Sequence, residues 1–359
     1  MSGFPPVCVP QKPRSPLLCL LVCLALSACN QADETGFRDG SPLDDLPPWI
    51  TPLLDTGLRP EWSADGSRLL YLDALVGNVH ELELATGSRK NLTGHFEHHG
   101  FTRARYLHNG DLLLCGPTGS AGTDEEDGRW QTQLWFMPRE GSGAAQQLGE
   151  PCFEGPAVSH SDMRIAWTRS DYPDKIVLAR SEIWLGHIEI REGAARIVEK
   201  RKLVDRSDFM YLAFLETQDF RPPDDRELLF TAYAYKGGEV MGVDIESGEI
   251  VNYSRDWAYD EAEAVFPDGK SIAVEREVNT YTAVPVGDID IWQLALDASG
   301  NSRRLTRFSE YAGYGANNPA ISPDGRKMAF GLRIKGGQHG NAQGMLLYDF
   351  DSAPVEPDR

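Results

Sequence analysis

Beyond residue 48 the apolar positions fall in short runs that alternate with polar ones, and Gly, Pro, Asp and Ser clusters separate them. No useful stretch keeps a helical period, so the pattern predicts strands. The runs also repeat. Three copies are plainly related: Pro60-Glu-Trp-Ser-Ala-Asp-Gly-Ser-Arg-Leu-Leu-Tyr71, Glu263-Ala-Val-Phe-Pro-Asp-Gly-Lys-Ser-Ile-Ala-Val274 and Pro319-Ala-Ile-Ser-Pro-Asp-Gly-Arg-Lys-Met-Ala-Phe330. Three weaker copies start at Ala104, Pro156 and Asp219.

Each copy reads as a strand, a tight turn built on Asp-Gly in the strong copies, and an apolar return strand. A third strand follows, at 79–84, 134–137, 183–190, 240–245, 289–296 and 345–350, and then a fourth edge strand. Four antiparallel strands repeated six times predict an all-β, six-bladed β-propeller. The last copy ends after its third strand, so residues 49–54 are expected to pair onto the sixth blade and close the ring.

The first residues have a different character. Residues 1–28 lack acidic side chains, carry Lys12 and Arg14, and contain an apolar run over 17–26 that is too short to span a bilayer. The run ends in Leu26-Ser27-Ala28-Cys29, which resembles a bacterial lipobox. That resemblance implies a signal peptide over 1–28, cleavage before Cys29 and lipidation of its thiol, with an ordinary signal that happens to end in cysteine as the alternative. Asn30 leans the expected destination towards the outer rather than the inner membrane. Residues 29–48 are expected to form the lipidated cysteine and a flexible tether, 49–353 the propeller and 354–359 a tail.

Charge then narrows the partners. The net charge is −19, which repels phosphate backbones and anionic lipid and argues against nucleic-acid binding. The membrane contact is therefore assigned to the Cys29 lipid, and the body is expected to be a monomer. Outside the signal and lipobox only Cys115 and Cys152 remain. In an oxidising compartment they are candidates for a disulfide, with a buried reduced pair as the alternative.

The Pro-x-Trp-Ser-x-Asp-Gly-x-x-Leu-x-Tyr pattern resembles the WD40-like (PD40) repeat of TolB-type proteins. The resemblance spans roughly residues 60–350 and is specific for fold rather than function. It implies a periplasm-facing binding or scaffold module that recognises an envelope protein segment or polar ligand at the channel mouth. The chain lacks room for the extra amino-terminal domain of TolB, which puts its partners in doubt here.

Aligning the repeats places Arg59, Arg103, Glu154, Glu216, Gln218, Asp260, Glu261, Asn317 and Asn318 at the entries to the first strands, the expected channel mouth. Arginines there suit a carboxylate, while acids and amides suit hydroxyls. Phe101, Phe153, Tyr211, Trp257, Tyr259, Tyr311 and Tyr314 are candidates for stacking on sugar rings. The bland reading is a hydrated rim whose acids pair with arginines for packing. The rival function is a carbohydrate-active enzyme, an oligosaccharide lyase or glycoside hydrolase that uses paired carboxylates such as Glu154 with Glu216 or Glu261. No cofactor is expected. His98, His99 and His339 are weak candidates for a divalent metal, because they lack a ligand-type spacing. Some oligogalacturonate lyases resemble this chain in fold and hold a metal through histidines and a glutamine, but that motif does not carry over. No Gly-x-Ser-x-Gly elbow, phosphate loop or nucleotide fingerprint is present.

Overall fold

The structure is a computed structural model that describes residues 36–119, 125–140, 143–172, 180–209, 213–277, 289–335 and 343–354. Strand β1 (Ile50–Leu54) comes first in the chain but joins the last sheet. Unit 1 contains β2 (Leu58–Trp62), β3 (Arg68–Leu72), β4 (Val79–Glu83) and β5 (Arg89–Asn91). Unit 2 contains β6 (Arg103–Tyr106), β7 (Leu112–Pro117), the short helix α1 (Glu125–Trp130), β8 (Thr132–Met137) and β9 (Gln146–Pro151). Unit 3 contains β10 (Ala157–Val158), β11 (Arg164–Ser170), β12 (Ser181–Arg191) and β13 (Ala194–Asp205). Unit 4 contains β14 (Phe214–Phe220), β15 (Glu227–Tyr233), β16 (Gly238–Asp244) and β17 (Ile250–Asn252). Unit 5 contains β18 (Tyr259–Val265), β19 (Ser271–Glu277), β20 (Ile289–Ala295) and β21 (Ser302–Arg304). Unit 6 contains β22 (Tyr314–Ile321), β23 (Lys327–Ile334) and β24 (Met345–Asp349).

Within each unit, strands adjacent in sequence pair antiparallel, and a single parallel bridge between Gly238 and Tyr259 links units 4 and 5 into one larger sheet. This is an all-β chain of four-stranded antiparallel sheets, the architecture of a β-propeller. The repeat turn explains why the strands return where they do. The Gly66, Gly269 and Gly325 amides donate to the carbonyls of Ser63, Phe266 and Ser322 at 2.8 Å. Their φ angles of +68°, +67° and +70° favour glycine. At Gly269 a Cβ would also lie 2.1 Å from the Pro222 carbonyl oxygen, so the turn doubles as a contact with unit 4.

The apolar core lies between consecutive units rather than inside one. Leu70 and Leu72 meet Leu112 and Leu114 between units 1 and 2, and Leu229 and Val240 meet Ile272 and Val274 between units 4 and 5. Units 6 and 1 share the same kind of interface, where Ala329 and Met345 pack on Trp62 and Leu69. Each large side chain buried this way contributes about 1.5–3 kcal/mol. The first strands are neighbours in the order β2, β6, β10, β14, β18, β22 and back to β2. The Trp62 indole, donating to the Ala320 carbonyl at 2.9 Å, pins that return.

β1 pairs antiparallel with β24, setting Ile50 opposite Tyr348 and Thr51 opposite Leu347. The segment before it differs from the expected free tether. Over residues 36–48 it lies against the body: the Arg38 amide donates to the Glu310 carbonyl at 2.7 Å, and the Arg38 guanidinium sits 4.7 Å from the centre of the Tyr311 ring. The physical reason is local chemistry. An arginine finds an aromatic face, and Ser41 caps a helical turn at Pro42–Asp44. Cys29 and the expected signal segment lie outside the described residues. Among those described, no helix is long and apolar enough to cross a membrane.

Candidate functional site: a charged cluster on the first strands

Alternation along a strand sends residues i and i+2 to the same face. On the first strands this pairs Arg59 with Glu61, Arg103 with Arg105, Glu216 with Gln218 and Glu261 with Glu263. Register shifts interrupt β2, β14, β18 and β22 near these positions. Such bulges re-aim side chains next to sites. Arg59, Glu154 and Asn318 take positive φ angles of 54°, 60° and 47°, a conformation that costs non-glycine residues energy.

The bonds made by these side chains divide the cluster in two. On one side Arg59 donates to Glu154 at 3.0 Å, and Arg129, from the end of α1, donates to the other Glu154 oxygen at 2.5 Å. Burial pushes the Glu154 carboxyl up, but Arg129, Arg59 and Arg103 outweigh it and hold the group near about 2. Burial, with Arg103 alongside, lowers Arg59 to about 10. Glu154 is thus fixed as an anion.

On the other side the acids outnumber their partners. Tyr233 donates to Glu216 at 2.5 Å and Gln218 donates to its second oxygen at 3.0 Å, while Arg103 stands back at 3.9 Å. Burial, then the charges of Glu261 and Glu154, push the Glu216 carboxyl well above the carboxylate range. Glu261, Glu263 and Glu275 bring carboxylate oxygens within 4.8 Å of one another. Burial followed by Glu275 and Glu261 raises Glu263, and burial followed by Glu261 raises Glu275 to about 7. The Asn318 amide N–H donates to Glu275 at 2.7 Å, and Tyr259 donates to Glu261. The three carboxylates form an all-oxygen set of the kind that could hold a hard cation.

Below this level Arg105 bonds Glu61 at 2.7 Å and the Gln218 carbonyl at 3.2 Å.

The structure therefore brings together Arg59, Arg103, Glu154, Glu216, Gln218, Glu261 and Asn318, and leaves Asp260 out. Asp260 sits on the opposite strand face, where Arg276 grips both its oxygens, and burial raises it to about 6. Asn317, half-buried, pairs through its backbone with Gly331 in the β22–β23 ladder. Glu61, Arg105, Glu263, Glu275, Arg129 and Tyr233 were not among the sequence candidates. For Glu61, Arg105 and Glu263 the signal was present, two residues on from Arg59, Arg103 and Glu261. Glu275, Arg129 and Tyr233 come from other elements, and no spacing announces them.

The remaining candidates are placed elsewhere. The His98 ring accepts from the Gly100 amide and packs against Phe96 and Phe101, and burial lowers its pKa. With His99 it borders a cleft of about 770 Å³ that Val76 and Trp135 also line, away from the carboxylates. His339 and Tyr211 lie outside the described residues. Phe101, Phe153, Tyr259 and Tyr311 are buried, so their ring faces serve packing, whereas Trp257 is 62 % exposed. Phe153 stacks on Trp130. Cys115 of β7 and Cys152, which directly follows β9, form a disulfide two residues before Glu154.

Solved structures share this arrangement of sheets. The TolB protein of Agrobacterium tumefaciens matches with a TM-score of 0.53 at 17 % identity, covering 77 % of this chain and 87 % of that one. The fold is TolB-like. Two further solved structures match at a similar level. Regucalcin of the same organism, a calcium-binding protein, matches with a TM-score of 0.50 at 13 % identity over 83 % of this chain and 90 % of its own. A puromycin-hydrolysing peptidase of Mycobacterium tuberculosis matches with a TM-score of 0.51 at 14 % identity, over 84 % of this chain but 43 % of its own. Identities this low carry the TolB-like fold and nothing further. No protein-family model matches the sequence, and no curated protein is similar to it.

Proposed function

We propose that the chain is a lipid-anchored, periplasm-facing, six-bladed propeller that binds a polar ligand or protein segment at its channel mouth and catalyses no reaction. In this reading the six units are the blades, β1 closes the ring on β24, and the first strands line the channel. The cyclic order of the first strands and the unit 6 to unit 1 core support that ring. The observation that carries the binding role is the buried Arg59–Glu154 pair, joined by the partly exposed Arg129, beside the buried acids of β14 and β18. Burying unlike charges is a weak source of stability, since well-packed apolar side chains do as well or better. A cluster of this size at the mouth of a TolB-like fold is therefore assigned to recognition.

Anchoring rests on the lipobox-like Leu26-Ser27-Ala28-Cys29 and the outer-membrane lean on Asn30. Replacing Cys29→Ser should abolish palmitate labelling and release the protein from membrane fractions. A photo-crosslinking residue at Asn317 should capture an envelope partner in cells, and Glu216→Ala should weaken that capture. Equal capture from an outer-edge position such as Arg89 would refute recognition at the mouth.

One observation favours a second reading. Glu154 is held as an anion while Glu216 is pushed towards its neutral form, the pairing that acid–base cleavage of glycosides uses. Turnover of uronate-containing or neutral oligosaccharides, lost in Glu216→Ala and Glu261→Ala, would establish the enzyme; no turnover across a wide panel would dismiss it.

A further inference from the structure

Two buried groups of the central cluster, one basic and one acidic, each carry a polar atom without a hydrogen-bond partner among the described residues. Arg103 is 7 % exposed, its Nε has no hydrogen-bond partner among the described residues, and the carboxylate it faces, Glu216, stands 3.9 Å away. Glu263 is 3 % exposed, and its Oε1 likewise has no partner among the described residues. Leaving such groups buried and unbonded is costly, and more so for charged ones.

Their surroundings say what each one lacks. Gly155 packs under Arg103, where a Cβ would come within 2.9 Å of its Nε, so the guanidinium is held in place from below. Its fork of donors is preorganised for a carboxylate. Glu263 faces Glu261 and Glu275, and the three oxygens within 4.8 Å of one another offer several acceptors to one cationic group. An ammonium supplies three donors to such a set.

A metal ion would satisfy the carboxylates and leave Arg103 as it is. A simple anion would satisfy Arg103 and leave the acids of β18 and β19 without a further donor. A ligand that carries both charges answers both deficits at once. The Arg103 charge acts on Glu263 across the cluster, so the two sides are near neighbours, which favours a ligand whose charges lie close together, as on a single α-carbon.

We propose that the central cluster binds a small zwitterion of the α-amino acid class, its carboxylate on Arg103 and its ammonium among Glu261, Glu263 and Glu275. This rests on the reading of the channel mouth as a binding site and names the ligand class.

The test is calorimetric titration of the soluble chain lacking residues 1–29, with glycine and L-alanine as probes and acetate, ethylamine and calcium chloride as controls. Glycine and L-alanine should bind saturably, and acetate or ethylamine on the order of tenfold or more weaker, because each meets only one of the two sides. Arg103→Gln and Glu263→Gln should each weaken binding by a similar factor, and their circular dichroism spectra report whether they fold. The comparison of ligands on the unaltered protein does not depend on those variants. No binding of either amino acid at millimolar concentration overturns the proposal. So does calcium binding alone, with the amino acids silent. In either case mouth-specific crosslinking from Asn317 would still stand, so failure of the ligand class and failure of the binding site are separable.

Discussion

Arg59 and Glu154, ninety-five positions apart in sequence, meet in a buried ion pair of 3.0 Å that ties unit 1 to unit 3. Neither residue neighbours the other's unit in the chain, and both adopt the left-handed backbone conformation to make the contact. The pair is asymmetric, because Glu154 also holds Arg129.

That asymmetry makes a prediction about stability. Arg59→Met leaves Glu154 paired to Arg129, so the cost should be modest, about 1–2 kcal/mol. Glu154→Leu leaves Arg59 and Arg129 without their shared acid and should cost about 3–5 kcal/mol. Urea denaturation of both variants measures the order, and equal losses would contradict the shared-acid arrangement.

The disulfide between Cys115 and Cys152 closes a loop of 37 positions and ties β7 to the segment that leaves β9 just before Glu154. Cys115→Ser with Cys152→Ser should lose about 2–4 kcal/mol of stability. Reduction of the unaltered protein should reproduce the loss. A melting temperature indifferent to reductant would show that the bridge contributes nothing.

Stability should also depend on pH in a way set by the acids. Burial, then Glu261, raises Glu275 from 4.5 to about 7, and burial raises Asp260 from 3.8 to about 6. Between those limits the folded chain holds protons that the unfolded chain has released, so stability falls as pH rises. The slope is at most about 1.4 kcal/mol per pH unit for each group. Glu154 acts with the opposite sign: its folded value of about 2 lies below the usual 4.5, so stability falls as the medium is acidified through that interval. Urea midpoints measured from pH 3 to pH 8 should therefore peak at roughly pH 4–5. Glu275→Gln should flatten the neutral limb, and an unchanged slope would exclude Glu275 as its source.

The amino-terminal strand should matter more than the segment before it. Ile50 and Leu54 are 4 % and 5 % exposed, and β1 covers the edge of β24. Removal through Pro48 should leave a cooperative unfolding transition. Removal through Leu54 should cost about 3–6 kcal/mol from these two side chains and bare a strand edge that invites association. Chemical denaturation and size-exclusion chromatography of the two truncations compare them.

The residues that recur were legible from the chain alone. Asp-Gly at 65–66, 268–269 and 324–325 marks three turns, because few residues accept the positive φ that the hairpin needs. The third strands at 240–245 and 345–350, and the need for a strand from 49–54, follow from the same period. These are local rules, and local sequence carries them.

The site was only half legible. Repeat alignment singled out Arg59, Arg103, Glu154 and Glu216 because the entries to the first strands converge. It also included Asp260, whose carboxylate alternation turns onto its cross-strand partner Arg276, away from the face of Glu261. It missed Glu275, Arg129 and Tyr233, which arrive from a second strand, a helix end and another second strand. Which charges meet depends on distances between strands far apart in the chain, and packing of whole sheets sets those distances. The sequence by itself determined the strands and their turns. Only the tertiary structure decided that Arg103 Nε and Glu263 Oε1 would be buried without a hydrogen-bond partner among the described residues.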